Sequence, residues 1–351
     1  MIFFNQLPQD WIVVLAYWLS LALLILATVT LIFIFLLRIH LILENKKNKQ
    51  LKNLWQPILA QSLISLPAEL PKIRKKEISY FLNFWNYYQR SLRGEAKNRL
   101  NKLILRLNIS KIIIKQLHQY NLRKKLRAIT ALGYLQETNA WKNLLILSHH
   151  PASLVSLSAA RALMQINTEK ATPYFIELLK SRTDWPPSFA ATILKESNKQ
   201  IISDALAKAV LETKTTMLAR MVEYLGVVYP ETAAPSLKIL IEKCDIPEVL
   251  ASCLKVLHDP TYLEFARKSL CHPSWIVRVQ AANFMGRMGN KKDLDALTPL
   301  LSDDHWWVRY RAAQAIFDIP GLGKASLEQI KSQSTNEKAQ AILAQAIEEN
   351  V

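Results

Sequence analysis

Apolar positions along the chain fall into three regimes. From Trp11 to Leu37 they are continuous, and WIVVLAYWLSLALLILATVTLIFIFLL holds no charge in 27 positions. From residue 38 to 114 they alternate with many Lys and Arg. From residue 115 onward, apolar and small residues recur at helical spacing in a pattern that repeats every 30 or 31 residues.

The first regime predicts a transmembrane helix, because about 20 apolar residues cross a bilayer. Every face of this helix is apolar, unlike a surface helix. Trp11, Tyr17 and Trp18 suit the headgroup zone at one end. The run is too long for a cleaved signal peptide, no Lys or Arg precedes it, and no A-x-A-like site follows. Only Asp10 carries charge before it, while Arg38, Lys46, Lys47, Lys49 and Lys52 follow. Basic flanks stay in the cytoplasm. The expected order is therefore a short outside tail (1–10), the span (11–37), a basic juxtamembrane helical segment that caps the next domain (38–114), and a cytoplasmic repeat domain (115–351).

The repeats are clearest near the end. HPSWIVRVQAANFMG (272–286) and DHWWVRYRAAQAIFD (304–318) superpose Trp275 on Trp306, Val277 on Val308, Arg278 on Arg309, and Ala281-Ala282 on Ala312-Ala313. Weaker copies place Ala128, Ala159, Ala190, Met221 and Ala251 at the position of Ala281. Gly133 and Gly226 fall where Gly286 does. The next columns are apolar or small, as a buried helix face requires. A fixed period of this length marks a solenoid of stacked helix pairs, here about seven, in an all-α fold. Breakers such as His150-Pro151, Pro186-Pro187, Pro247 and His272-Pro273 fill the joints.

Two columns three residues apart are mostly polar and share one helix face. With their neighbours they form a candidate protein-binding stripe: Arg127, Arg161, Arg220, Glu223, Gln280, Asn283, Arg287, Arg311 and Gln314. Trp307 joins it, since Trp306 and Trp307 cannot both point inward from one turn. Trp275 and Trp306, as equivalent positions, are expected to pack against the adjacent repeat.

The V-R-x-x-A-A run at Val277, Arg278, Ala281 and Ala282, and again at Val308, Arg309, Ala312 and Ala313, resembles the HEAT-repeat family, including its bacterial bilin-lyase-type variety. The resemblance covers roughly residues 115 to 351. Family repeats often carry an Asp six residues before the Arg. Asp303 before Arg309 fits; His272 before Arg278 departs, and the five earlier repeats lack the Arg. The resemblance implies a structural role for Arg278 and Arg309 in hydrogen bonding between repeats.

Between span and solenoid, Pro57, Pro67 and Pro71 are expected to break the first part. EISYFLNFWNYYQRSL and AKNRLNKLILRLNISKIIIKQL then predict two or three helices. Their aromatic cluster (Tyr80, Phe81, Phe84, Trp85, Tyr87, Tyr88) fits the core of an end cap, which a solenoid needs, or contact with the membrane.

Composition refines this picture. Only 7 of 351 residues are Gly, which favours helices over strands and tight turns. The net charge of +17 would suggest nucleic acid if it were spread along the chain. It is not: residues 38–127 hold 21 Lys and Arg against 4 Asp and Glu, and the other parts nearly cancel. Arg38, Lys46, Lys47, Lys49 and Lys52 are thus lipid-proximal candidates, each basic residue near an anionic surface contributing about 1 kcal/mol. The 3 cysteines, Cys244, Cys253 and Cys271, form neither a disulfide framework nor a C-x-x-C site.

No phosphate loop, dinucleotide fingerprint or hydrolase or zinc motif occurs. Asp303-Asp304 reads as a helix cap. His149, His150, His272 and His305 sit in separate turns. No catalytic residue, metal ligand or cofactor is assigned. The expectation is a membrane-anchored scaffold that binds a protein partner, such as a membrane enzyme complex. The layout's resemblance to bacterial HEAT proteins implies service to polysaccharide-forming glycosyltransferase machinery. The alternatives are a HEAT-type enzyme or enzyme subunit, like bilin lyases or DNA glycosylases, and a nucleic-acid-binding domain at the membrane.

Overall fold

The computed structural model describes residues 7–213, 217–228 and 230–349. The described chain is helical, without strands. It divides into two compact units, Met1–Ala131 and Leu132–Val351.

The first unit begins with α1 (Leu7–Ile64), 58 residues long. It is followed by α2 (Ile78–Ser91), α3 (Glu95–Leu107), α4 (Ser110–Gln116) and most of α5 (Leu122–Leu135). The N-terminal part of α1 is long and apolar enough to cross a membrane, and none of its most apolar stretch is buried. Its C-terminal part anchors the helices that follow. Trp55 and Leu59 are buried, and the Trp55 ring meets Phe81 of α2 edge-on at 4.6 Å. Trp85 of α2 is buried and donates its Nε1–H to the Leu100 carbonyl of α3 at 3.0 Å. The Arg99 guanidinium donates to the Leu63 and Ile64 carbonyls, where a helix end leaves acceptors open and favours a cation.

One expectation fails here. Pro57 does not break the chain; α1 runs through it to Ile64. A proline forfeits one helical hydrogen bond and crowds the preceding turn. Trp55, Leu59 and Ser62, all buried on the surrounding turns, hold the helix against that cost. Pro67 and Pro71 do lie in the non-helical link before α2.

The second unit stacks helix pairs. Its inner helices are α7 (Ser153–Ile166), α9 (Pro187–Glu196), α11 (Leu218–Val228), α13 (Pro247–Val256), α15 (Trp275–Met288) and α17 (Trp306–Asp318). Between them come α6 (Trp141–Ser148), α8 (Thr168–Ser181), α10 (Lys199–Glu212), α12 (Pro230–Lys243), α14 (Leu263–Ser269) and α16 (Leu294–Leu297), the last continuing as a 3-10 turn over Thr298–Ser302. α18 (Lys324–Gln333) and α19 (Glu337–Glu349) end the stack by packing on α17. Each inner helix from α7 onward packs on the next.

The joints follow from local chemistry. Asn167 and Asn198 cap α8 and α10 by accepting backbone N–H bonds at 2.9 and 3.2 Å. Pro187 and Pro247 open α9 and α13, where a missing N–H costs nothing. The repeated small column is buried in all seven copies, from Ala128 to Ala312. Gly286 is small because its neighbour leaves no room for a side chain. A Cβ built there would sit 3.0 Å from the Cα of Ala315 on the neighbouring inner helix. A Cβ built on Gly133 would likewise sit 2.9 Å from the Ala162 Cα.

Candidate functional site

The polar columns of the inner helices do not all remain available. Arg161 binds Glu196 of the next repeat with two hydrogen bonds, at 2.8 and 2.6 Å. Glu223 accepts from Lys255 of the next repeat at 2.9 Å. Lys255 stands in a column that is otherwise apolar, so its exposure is explained by this pair. Arg287 reaches the C-terminal carbonyls of α13, donating to Leu254 at 3.0 Å and Leu257 at 3.3 Å. More than a third of its surface is open, yet partial burial of its guanidinium pulls the pKa below the usual value. Gln280 and Asn283 bond each other at 3.3 Å.

The rest of the stripe is freer. Among the described residues, the buried Nη1 of Arg220 has no hydrogen-bond partner. Arg311 lies over the Tyr310 ring, 5.6 Å from its centre, with Gln314 one turn on. Burial raises the Asp318 carboxyl, which Arg311 partly opposes. At α13 the stripe is interrupted, because Leu250 and Cys253 are buried. Arg127 belongs to the first unit, where it donates to the Ser79 carbonyl and hydroxyl, both at 3.3 Å.

Between α7 and α9 the stripe holds an apolar groove of about 160 Å³, lined by Leu154, Leu157, Phe189 and Ile193. Leu154 and Phe189 are exposed, at 51% and 60%. The Arg161–Glu196 pair stands beside it. Phe189 occupies a column that is mostly polar, with Leu250 its other apolar member, but Leu250 is buried whereas Phe189 is exposed.

Arg278 ties two successive turns together, whereas the hydrogen bonds of Arg309 stay within its own turn, short of the inter-repeat role expected for it. The Arg278 Nη1 donates to the carbonyls of His272 and Pro273, both at 2.8 Å. Arg309 repeats this on Asp303 and Asp304, at 2.7 and 3.0 Å. The Asp303 carboxylate instead receives Arg278, from the repeat before. Burial would raise the Asp303 carboxyl, but the Arg278 hydrogen bonds and the His305 N–H outweigh it and hold the pKa below the ordinary value. Where the earlier repeat has Ser156 in place of this Arg, the following repeat supplies the missing groups. Arg182 donates to the His150 and Pro151 carbonyls at 3.0 and 3.3 Å, and Trp185 donates to the Ser156 hydroxyl at 2.8 Å.

Trp275 stacks on His305 of the next turn, with ring centres 5.2 Å apart. Trp306 departs from expectation. It is 40% exposed beside the 52% exposed Trp307. Its ring stacks on Tyr310 of its own helix at 5.1 Å, rather than on a side chain of the next turn as Trp275 does. The end of the stripe is thus a paired aromatic patch.

Of the lipid-proximal candidates, Arg38, Lys46, Lys49 and Lys52 are exposed on α1; the Lys47 side chain lies outside the described residues. Glu44, the acid among them, accepts the Tyr80 hydroxyl at 2.7 Å. In the aromatic cluster, Phe81 and Trp85 are buried whereas Tyr87 is 68% exposed. Cys253 is buried, its thiol pushed up to about 12 by desolvation; Cys271 is exposed. Among the described residues no three His, Cys, Asp or Glu side chains gather as for a metal ion.

With this geometry in place, the comparisons agree on architecture. A family model for HEAT repeats matches residues 110–194 and 245–316. These segments are HEAT repeats, and the unmatched stretch between them continues the same inner-helix packing. The described chain is all-helical, with stacked helix pairs of HEAT-like fold and one long apolar N-terminal helix. No curated protein matches it significantly. Among solved structures it is similar to Kap121p bound to Pho4p, with 12% identity and a TM-score of 0.52 over 84% of this chain and 38% of that one. A Kap121p mutant gives 13% identity, the same coverage and a TM-score of 0.50. The chain therefore spans about two-fifths of Kap121p, and at such identity the likeness concerns the fold alone. The complex of CpcE and CpcF of phycocyanin lyase from Nostoc sp. PCC7120 aligns at 16% identity over 82% of this chain and 98% of that one, with a TM-score of 0.26 too low to carry weight.

Proposed function

We propose that this protein is a membrane-anchored, non-catalytic HEAT-repeat scaffold that holds a protein partner along the inner-helix stripe. The carrying observation is the exposed apolar matter on that stripe: Phe189 and Leu154 at one groove, Trp306 and Trp307 at the last repeat. Large aromatics that stay exposed beside mixed polar residues are the usual anchors of protein interfaces. Kap121p, whose fold it shares, is described bound to Pho4p; that precedent supports protein binding as a use of this architecture.

In this reading the apolar part of α1 spans the bilayer with its N-terminus outside. Arg38, Lys46, Lys47, Lys49 and Lys52 meet anionic headgroups on the cytoplasmic side. The partner is a membrane enzyme complex, with polysaccharide-forming glycosyltransferase machinery as the specific candidate. A membrane-impermeant thiol reagent applied to sealed vesicles of known orientation tests the topology through Cys271, which is exposed. Labelling from the cytoplasmic face supports it and labelling from the other face overturns it. Crosslinked capture of partners by wild type and stripe variants tests the scaffold role.

A further inference from the structure

The first unit contains a cleft that the scaffold reading does not use. It measures about 760 Å³ and opens between α1, α2 and α5. Small-molecule pockets run from about 300 to 1,000 Å³. Three cations line it, Lys52 of α1, Arg90 of α2 and Arg127 of α5, and no carboxylate does. Phe84 and the exposed Tyr87 supply ring surface.

Two buried groups in the wall are incompletely matched. Asn86 is only 9% exposed; its amide nitrogen donates to the Arg127 carbonyl at 3.0 Å, while its Oδ1 has no partner among the described residues. A buried acceptor without a donor is a standing cost unless something binds it. Arg127 is half-buried and, among the described residues, its guanidinium bonds the neutral carbonyl and hydroxyl of Ser79. Burial works against its charge. The acid it senses, Glu44, already accepts the Tyr80 hydroxyl and lies outside the cleft lining.

The needs of the two groups differ. The cations call for an anion, and phosphate is the anion that several Arg and Lys donors hold best. The Asn86 Oδ1 calls for a hydroxyl that donates. The rings suit the C–H face of a sugar or polyol. We propose that this cleft binds a phosphorylated polyol, with its phosphate on Lys52, Arg90 and Arg127 and a hydroxyl on Asn86. A phospholipid headgroup carrying free hydroxyls and a soluble sugar or glycerol phosphate share this chemistry.

Calorimetry on the full-length protein in detergent separates the two sources. The titrants are glycerol phosphate, glucose phosphate, free glucose, short-chain phosphatidylglycerol and short-chain phosphatidylcholine. The variants are Lys52→Gln/Arg90→Gln, whose side chains are exposed and so leave folding intact, and Asn86→Leu, which removes the acceptor. Lys46→Gln/Lys49→Gln is the control for general basic attraction. Saturable binding of a soluble phosphate ester, weakened roughly tenfold or more by the first double variant and not by the control, supports a soluble ligand. Binding of phosphatidylglycerol alone, over phosphatidylcholine and with the same dependence on Lys52 and Arg90, supports the headgroup. Free glucose binding as tightly as its phosphate, equal loss in the control, or no saturable binding to any phosphorylated titrant overturns the proposal. None of these outcomes touches the partner-binding reading, whose carrying residues, Leu154, Phe189, Trp306 and Trp307, lie in the other unit.

Discussion

The Asp303 carboxylate receives two hydrogen bonds from Arg278, at 2.7 and 2.9 Å, across a sequence separation of 25 residues. Arg278 also binds the His272 and Pro273 carbonyls, so one guanidinium joins two successive turns of the stack. Both side chains are mostly buried, 16% and 11% exposed. Asp303→Asn should therefore lose about 1–3 kcal/mol of stability, as expected for a charge-assisted pair with a partner left behind. Chemical denaturation of the full-length protein in detergent, together with a double-mutant cycle with Arg278→Ala, reads the coupling directly.

The same pair fixes a pH dependence. The folded Asp303 pKa lies below its ordinary value of 3.8. A depressed carboxyl pKa contributes stability that is complete above the unfolded value and is lost as pH falls through the folded one. Acid unfolding of wild type should steepen below about pH 4, and Asp303→Asn should remove that part of the slope. A slope unchanged by the substitution would mean that the pair carries no net energy.

Gly286→Ala should destabilise, although Ala favours a helix over Gly by about 1 kcal/mol. The added Cβ would meet the Ala315 backbone at 3.0 Å, and backbone cannot step aside as a side chain tip can. The expected net loss is about 1–3 kcal/mol. Ala315→Gly in the same chain should recover part of it, since the Ala315 Cβ is a further close atom at 3.3 Å.

These positions show what was legible in advance. The buried Ala column recurs in every repeat, so periodicity exposes it, whereas the glycines recur in three copies and only Gly133 and Gly286 share the same close approach to a neighbouring Ala backbone. The role of Arg182 and Trp185 in replacing a missing Arg at Ser156 does not recur, and no period reveals it. Pro57 misled because local propensity argues for a break there, whereas burial of Trp55 and Leu59 decides the outcome. Trp306 misled because its repeat-equivalent, Trp275, stacks on His305 of the next turn whereas Trp306 stacks on Tyr310 of its own helix. The stripe was visible as a row of polar columns. Which of its charges are consumed by neighbours, as Arg161 is by Glu196, depends on side-chain reach across repeats.

Thiol chemistry offers an independent check on the core. Cys253 is buried with its pKa near 12, while Cys271 is exposed. The thiolate is the reactive form. At pH 8 iodoacetamide should modify Cys271 in the folded protein and reach Cys253 only after denaturation, as peptide mass spectrometry would show. Rapid native labelling of Cys253 would mean that α13 is not packed as described.

Crosslinked affinity purification of the full-length protein in mild detergent tests the scaffold role most directly. The comparison sets wild type against Phe189→Ser and Trp307→Ala, whose exposed side chains should change stability by less than about 0.5 kcal/mol. The account predicts one membrane protein recovered reproducibly with wild type and depleted with either folded variant. Nucleic acid as the main recovered species, no protein above background, or a partner retained equally by both variants would contradict it.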